Sequence, residues 1–364
     1  MTLIIGGGGA GLHYAKLLKE KHPEINTTII EEHKDIGKPI QCTGILTDEI
    51  TKILPKQEIE KFTLNKITKT RVYSQNNHVD IPINTNYIIC NITFIKYLHE
   101  QAEKQGVNIK LGKRYLKNEG KITTYRDTET KKIEEIKFEN LIGADGPASA
   151  VARNNNLMQK RKYLTGVQAR IKLKDFDKEK IDFYPYIGEY AWFTPESDEI
   201  ARIGVAAETN AKKIFDDFIK KYPGQIIEMQ GGPIPMHKPK TPVQNKKQTI
   251  SLLGDAALQI KNTTGGGIIP GLKAAEKLSE STEKYQKNLK TLNLELYAHY
   301  KINKILKQYN QREWDTLIKK VNTPKIKEIL QKTNRDKPIK MLLKLATQPK
   351  IIMQGLKDMP KILK

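Results

Sequence analysis

The chain has 364 residues, with 63 Lys and Arg against 41 Asp and Glu, a formal charge of +22 and 38% hydrophobic residues. That length buries a full core in roughly one to three domains, and no apolar run approaches the roughly 18 residues of a membrane span. Two cysteines, Cys42 and Cys90, argue against a disulfide framework, and neither they nor the seven histidines have metal-ligand spacing.

The positive balance points to an anionic partner: a phospholipid surface, a nucleic acid or a phosphorylated substrate. A chain rich in Lys, Asn and Ile together also fits an AT-rich gene, so charge alone selects none of these. The first strand starts by residue 2 or 3 and leaves no room for a signal peptide, so a cytoplasmic location is expected.

The opening stretch, Leu3-Ile4-Ile5-Gly6-Gly7-Gly8-Gly9-Ala10-Gly11-Leu12, runs an apolar strand into Gly-x-Gly-x-x-Gly and then a helical pattern over 12–21. Gly6 allows the tight turn, Gly8 lets backbone N–H groups approach a pyrophosphate, and Gly11 lets helix and strand pack closely. The next strand, Thr27-Thr28-Ile29-Ile30, ends in Glu31, where a carboxylate can accept both ribose hydroxyls of an adenine dinucleotide. His13, inside the first helix, reads as structural.

Gly37, Pro39 and Gly44 mark a loop with close backbone approach, and 47–61 reads as a short helical stretch. Residues 66–83 form a predicted hairpin turning at Gln75-Asn76-Asn77, and a strand ends at 88–91. Phe94, Leu98 and Ala102 make one stripe of a helix over 93–105, closed by Gly106. Strands follow at 107–111 and 115–116, then a polar hairpin over 121–138. Gly143-Ala144-Asp145-Gly146 precedes a short helix at 150–154. Residues 163–207 alternate as sheet, 211–221 is a helix, and 225–238 is a strand pair broken at Gly231-Gly232-Pro233. The strand 250–253 ends in Gly254-Asp255-Ala256-Ala257 and leads to Thr264-Gly265-Gly266-Gly267-Ile268, with a helix over 271–280. From about 283 on the chain reads as helical, with Pro324, Pro338, Pro349 and Pro360 as breaks.

Four landmarks in order, Gly6-x-Gly8-x-x-Gly11, Glu31, Gly143-Ala144-Asp145-Gly146 and Gly254-Asp255-Ala256, resemble FAD-dependent oxidoreductases with a para-hydroxybenzoate hydroxylase-like fold. Three more, Pro39-Ile40-Gln41-Cys42-Thr43-Gly44, Tyr190-Ala191-Trp192-Phe193-Thr194-Pro195 and Thr264-Gly265-Gly266-Gly267-Ile268, resemble the geranylgeranyl reductase branch. The resemblance implies an α/β fold: a Rossmann-type FAD-binding domain in three segments (1–65, 85–162 and 246–282), an inserted antiparallel substrate sheet (66–84 and 163–245), and a helical C-terminal region (283–364). It implies bound FAD and transfer of hydrogen to unactivated C=C bonds of a prenylated lipid. The electron donor would be a ferredoxin-like carrier or NADPH.

Matched residue by residue, Gly6, Gly8, Ala10, Gly11, Glu31, Cys42, Thr43, Gly44, Asp255, Gly267 and Ile268 fall on FAD-contacting positions. Asn91, Asp145, Gly146 and Gly266 complete the set, and Tyr115 falls where the backbone meets adenine. Relatives place Arg where this chain has Asn91, which keeps hydrogen bonding but drops a charge. An aromatic expected beside Tyr190 and Trp192 is here Thr194.

Cys42 reads either as a proton donor or redox gate beside the flavin or as a small packed hydrophobe. Cys90 reads as core. Tyr190 and Trp192 share one sheet face and line either a prenyl slot or plain core. The tail 337–364 carries seven lysines and one acid, Asp358, with Ile339, Leu342, Leu343 and Ala346 as an apolar stripe. It lies either on an anionic bilayer or simply over the core.

Two other readings share parts of this pattern. A flavin monooxygenase of the aromatic-hydroxylase type would use NADPH and oxygen; the triple glycine and the Tyr190/Trp192 pair lean away from it. An RNA-binding or degenerate flavoprotein would use the +22 charge, but no basic motif interleaved with aromatics is visible, so no nucleic acid is expected.

Overall fold

The computed structural model describes residues 1–363, leaving the final tail lysine, Lys364, outside the described residues, and arranges them around three sheets. The first has five parallel strands in the order β16 (Ile250–Leu252), β10 (Asn140–Gly143), β1 (Thr2–Ile5), β2 (Thr27–Ile30) and β6 (Asn108–Lys110). Every residue of β1 and β2 is buried, as expected of parallel strands covered on both faces. Leu12 of α1 (Gly9–Lys21), Phe94 and Leu98 of α3 (Asn91–Lys104) and Leu272 of α6 (Ile268–Glu280) join Leu3 and Ile29 in this core. The chain passes from β1 to β2 on one side while β10 pairs on the other. The strand order therefore reverses at β1, and its C-terminal end opens onto a crevice.

The second sheet has eight strands in the order β15 (Gln225–Pro235), β11 (Tyr163–Lys172), β14 (Ile200–Ala207), β13 (Tyr190–Pro195), β12 (Lys180–Tyr184), β4 (Thr63–Tyr73), β5 (His78–Ile89) and β3 (Ile45–Leu46). The predicted hairpin at 66–83 is the β4–β5 pair, joined to the later strands by parallel pairing with β12. Helix α5 (Ala211–Ile219) covers one face with Phe215 and Phe218. A third sheet holds β7 (Lys113–Glu119), β8 (Ile122–Asp127) and β9 (Ile133–Lys137), beside the short α4 (Ala150–Asn154).

Some local expectations change. Residues 225–235 form one strand, because Gly232 and Gly231 pair across Gly166 and Val167 and the backbones come close enough to stay in register. Pro233 is tolerated there because β15 is the sheet edge. Residues 47–61 split into a 3-10 turn, Asp48–Lys52, and α2 (Lys56–Glu60), divided at Pro55. The helix expected over 271–280 begins at Ile268, with Pro270 in its first turn.

The C-terminal region runs as α7 (Tyr285–Asn288), α8 (Lys290–Leu306), α9 (Gln311–Val321), α10 (Pro324–Gln331), α11 (Pro338–Leu345) and α12 (Pro349–Leu363). Pro324, Pro338 and Pro349 each open a helix, where the missing N–H costs nothing. Pro360 instead lies inside α12 without ending it.

Candidate active site

The crevice at the end of β1 is walled by backbone. Gly6 sits at φ +107°, and a Cβ there would drive into the Ala144 carbonyl; one on Gly11 would strike the Gly6 carbonyl. Around Gly8 nothing lies within 4 Å of a would-be Cβ, so this glycine faces open space. Gly8 is also the N-cap of α1, with no side-chain cap and no acid in the first turn. The first-turn N–H groups therefore remain donors for an anion. The Glu31 carboxylate stands beside them: it accepts the Gly7 N–H at 2.7 Å and the His33 N–H at 2.8 Å.

A second helix end meets the first. Gly267 caps α6 without a side-chain bond and with no acid in the helix's first turn, and a Cβ on Gly271 would stand 3.4 Å from the Ala10 Cβ. Asp255 lies against this end, since a Cβ on Gly267 would be 2.8 Å from its Oδ1. Burial pushes the Asp255 carboxyl up to about 6, against the pull of Arg161. Arg161 ties the two landmark loops together, donating to Pro147 O at 2.6 Å and to Ala256 O at 2.7 Å.

Asp145 is turned onto α4, accepting the Ser149 hydroxyl at 2.6 Å and the Val151 N–H at 3.0 Å, while Gly146 beside it has open space. Tyr115 is buried with its hydroxyl on Asn118, leaving only its backbone for a ligand. His13 is buried with neither ring nitrogen bonded among the described residues, and burial lowers its pKa to about 4, so it stays neutral.

The opposite wall is made of side chains. Asn91 Nδ2 donates to Cys42 O at 2.7 Å, the Arg202 guanidinium donates to Thr43 O and to Ile89 O, and the Ile89 N–H donates to Gly44 O at 2.9 Å, so all three carbonyls of the Cys42-Thr43-Gly44 turn are pinned. Arg202 is neutralised by Glu196 at 2.8 Å, and Glu196 also takes Arg170. Burial works against ionisation of Glu196, but the hydrogen bonds of the two arginines outweigh it and hold its pKa below the usual range. Thr43 Oγ1 and Trp192 Nε1 both donate to Gln168 Oε1, at 2.8 and 3.0 Å.

Cys42 keeps exposed surface, while the protein atoms packed around its thiol raise its pKa, with the Gly44 N–H opposing. It is therefore not a packed core residue. Cys90 is half-buried at the N-cap of α3. Tyr190 and Trp192 are both buried, with ring centroids 5.9 Å apart, and Phe183 stacks on Tyr190 at 5.8 Å. The Tyr190 hydroxyl presses on the Gly265 backbone and has no partner among the described residues. Thr194, two residues beyond Trp192, is wholly buried with its hydroxyl unpaired.

Sequence reasoning missed Arg161, Gln168, Glu196 and Arg202. Arg202 left one signal: an arginine in the middle of the apolar strand Ile-Ala-Arg-Ile-Gly-Val-Ala-Ala. Such a charge must be paired where it is buried.

A dinucleotide cofactor fits the backbone wall: two uncapped helix ends, open space at Gly8 and a carboxylate at the neighbouring strand end. A protein-family profile described as FAD binding domain matches residues 1–182. Geometry and profile together define an FAD-dependent oxidoreductase. The digeranylgeranylglycerophospholipid reductase 3 of Methanosphaera stadtmanae is 30% identical over 303 residues, 75% of this chain and 74% of that one. The digeranylgeranylglycerophospholipid reductase of Thermoplasma volcanium is 26% identical over 318 residues, 78% of each chain. Among solved structures, a geranylgeranyl bacteriochlorophyll reductase-like protein of Thermoplasma acidophilum superposes with a TM-score of 0.78 at 22% identity, covering 98% of both chains. The chain belongs to the geranylgeranyl reductase family of FAD-dependent oxidoreductases.

Proposed function

We propose that this chain saturates C=C bonds in the geranylgeranyl chains of a membrane ether lipid. The observation that carries the reading is Tyr190, a buried aromatic in line with Phe183 and Trp192 whose hydroxyl abuts Gly265 in the loop leading to α6. An apolar aromatic wall that runs up to the cofactor loop suits a hydrocarbon chain. In this reading the segments 1–65, 85–162 and 246–282 hold FAD, and 66–84 with 163–245 hold the lipid.

Bound FAD, once reduced, supplies hydride. The first-turn N–H groups of α1, from Gly8 through Ala10 and Gly11, hold the diphosphate, and Glu31 holds the ribose. Gly266, Gly267 and Ile268, at the N-terminus of α6, would also hold the cofactor, with Asp255 and the Thr43-Gly44 turn alongside. An isolated alkene is a poor hydride acceptor, so a proton must arrive with the hydride. Cys42 keeps its proton because confinement raises its thiol, and it is the candidate donor at Sγ. The faces of Tyr190 and Trp192 steady the positive charge that develops on the tertiary carbon and keep water away. Among the described residues no helix is long and apolar enough to cross a membrane, and in this reading the chain meets its lipid from the bilayer surface.

The test uses FAD-loaded protein with a digeranylgeranylglycerol phospholipid in detergent, reduced in parallel by dithionite, by ferredoxin and by NADPH. Mass spectrometry of the extracted lipid should show gains in steps of two hydrogens. An unchanged number of double bonds beside fully bleached flavin would overturn the proposal.

A further inference from the structure

Six of the large apolar side chains left exposed by the fold lie on three C-terminal helices, α8 and the two that pack on it, α11 and α12. The most prominent are Leu343 at 69% exposure and Met353 at 60%, with Leu342 and Ile352 beside them in sequence. The inward faces of α11 and α12 are accounted for: Leu345, Met341 and Ile351 pack against Ile326 and Ile329 of α10.

On these three helices the exposed charges have one sign, and the acids of the neighbouring α9 and α10 are engaged elsewhere: Glu313 with Lys361, Glu328 with Lys325 and Lys332, and Asp315 with Ser74 and Asn76. Lys340, Lys344 and Lys357 are exposed and have no ion pair among the described residues. The three helices hold only two acids, Glu295 and Asp358. Glu295 accepts the Ile339 N–H at 3.2 Å, and Asp358 is buried, taking Tyr309 and Gln354. Exposed leucine and methionine beside unneutralised lysines are the composition of an interfacial helix on anionic lipid. A second protein copy would have to bury those lysines without acids to meet them.

The place of these helices matters as much as their composition. The segment before α11 is fastened to both loops of the candidate site. Asp336 takes the Thr47 hydroxyl, three residues beyond Gly44, and the Lys261 ammonium, at the base of the triple-glycine loop. Lys261 N–H and O in turn bond Gly266 O at 3.2 Å and Gly265 N–H at 2.8 Å. Asn334 reaches Asp48, and Lys337 stands 3.8 Å from Glu49. Pro338, the first residue of α11, follows Asp336 by two positions, at most about 7 Å of chain.

We propose that α11 and α12 form a docking face for an anionic lipid bilayer, with Leu342, Leu343, Ile352 and Met353 entering the acyl boundary and Lys340, Lys344 and Lys357 on the headgroups. Docking there holds the Cys42–Gly44 turn and the triple-glycine loop next to the surface from which a lipid chain must enter. That last consequence rests on the lipid-reductase reading; the docking itself does not.

The experiment is vesicle co-sedimentation of FAD-loaded full-length protein, with liposomes of phosphatidylcholine alone or mixed with phosphatidylglycerol. Binding to the anionic vesicles should exceed binding to the neutral ones at least about tenfold and fall with added salt. Leu343→Glu with Met353→Glu should abolish it, and Lys340→Glu with Lys344→Glu should weaken it at least about tenfold. Both pairs should keep the wild-type flavin spectrum, melting temperature and turnover of detergent-dispersed lipid. Equal sedimentation of wild type and both variants, no sedimentation with any vesicle, or dimerisation of the wild type that the variants lose would each overturn the proposal. A wild type that docks but reduces no lipid would refute the proposed reaction and leave the docking face standing.

Discussion

Where the parallel sheet meets the candidate site, glycine backbone forms the wall; where the antiparallel sheet meets it, buried side chains do. Gly6, Gly8, Gly11 and Gly267 act by lacking a Cβ, and Glu31, Asp145, Asp255 and Arg161 add charge there. Across the crevice, Arg202, Glu196 and Gln168 hold the Cys42–Gly44 turn through hydrogen bonds that span the sheet. The first wall is sensitive to added volume. The second is sensitive to lost charge.

The strongest test of that contrast is a pair of glycine variants. Gly11→Val forces a side chain into the Gly6 carbonyl and should cost about 4 kcal/mol or more in urea unfolding. Gly8→Ala meets nothing within 4 Å, so it should leave unfolding within about 0.5 kcal/mol while weakening FAD binding by titration. Similar unfolding losses in both would erase the distinction between packing glycine and ligand-facing glycine.

Next in size is Glu196→Ala on the other wall. It strands Arg202, itself 5% exposed, beside Arg170, and should cost about 3 kcal/mol by the same measurement. Glu196 has a lowered pKa, so its contribution is full above the unfolded carboxylate value of about 4.3 and is lost as pH falls below it.

Asp255 works with the opposite sign. Its folded pKa of about 6 exceeds the unfolded value, so from roughly pH 4 to 6 the folded chain holds a proton that the unfolded chain has lost. The stability this gives is full below the unfolded value and disappears as pH rises through 6, about 2 to 3 kcal/mol in all. Urea midpoints of flavin-free protein should fall over that range more steeply in wild type than in Asp255→Asn; parallel curves would refute the assignment.

The smallest effect is expected at Tyr190, whose hydroxyl is unbonded. Tyr190→Phe should melt within about 0.5 kcal/mol of wild type, or slightly above it. A loss beyond about 1 kcal/mol would mean that the hydroxyl has a partner.

The contrast between the walls also decides what can be read from sequence. Backbone requirements restrict residue type at fixed spacing, so the turn Gly6–Gly11, Glu31 at the next strand end and Gly254-Asp255 stand out as local patterns. The parallel strands β1, β2 and β16 were legible for the same reason, each a short apolar stretch running into a glycine or an acid. The clamp on the Cys42 turn was not: Arg202 meets Thr43 across 159 residues, and only strand pairing brings them together. Nothing local announces that Gln168 serves both Thr43 and Trp192. Local rules also erred where pairing outweighed them, as at Gly231-Gly232-Pro233, which looks like a break and is continuous edge strand.

The bond from Thr47 to Asp336 spans 289 positions and sets an order of events during synthesis. The glycine turn, the Cys42 loop and the triple-glycine loop all leave the ribosome before the residue that fastens two of them. A nascent chain halted ahead of position 336 carries every cofactor motif, yet Lys261 lacks its counter-charge and the segment that covers it. Maturation of the flavin pocket therefore waits for the last stretch of the polypeptide, and a premature stop there should yield protein that fails to retain its yellow cofactor.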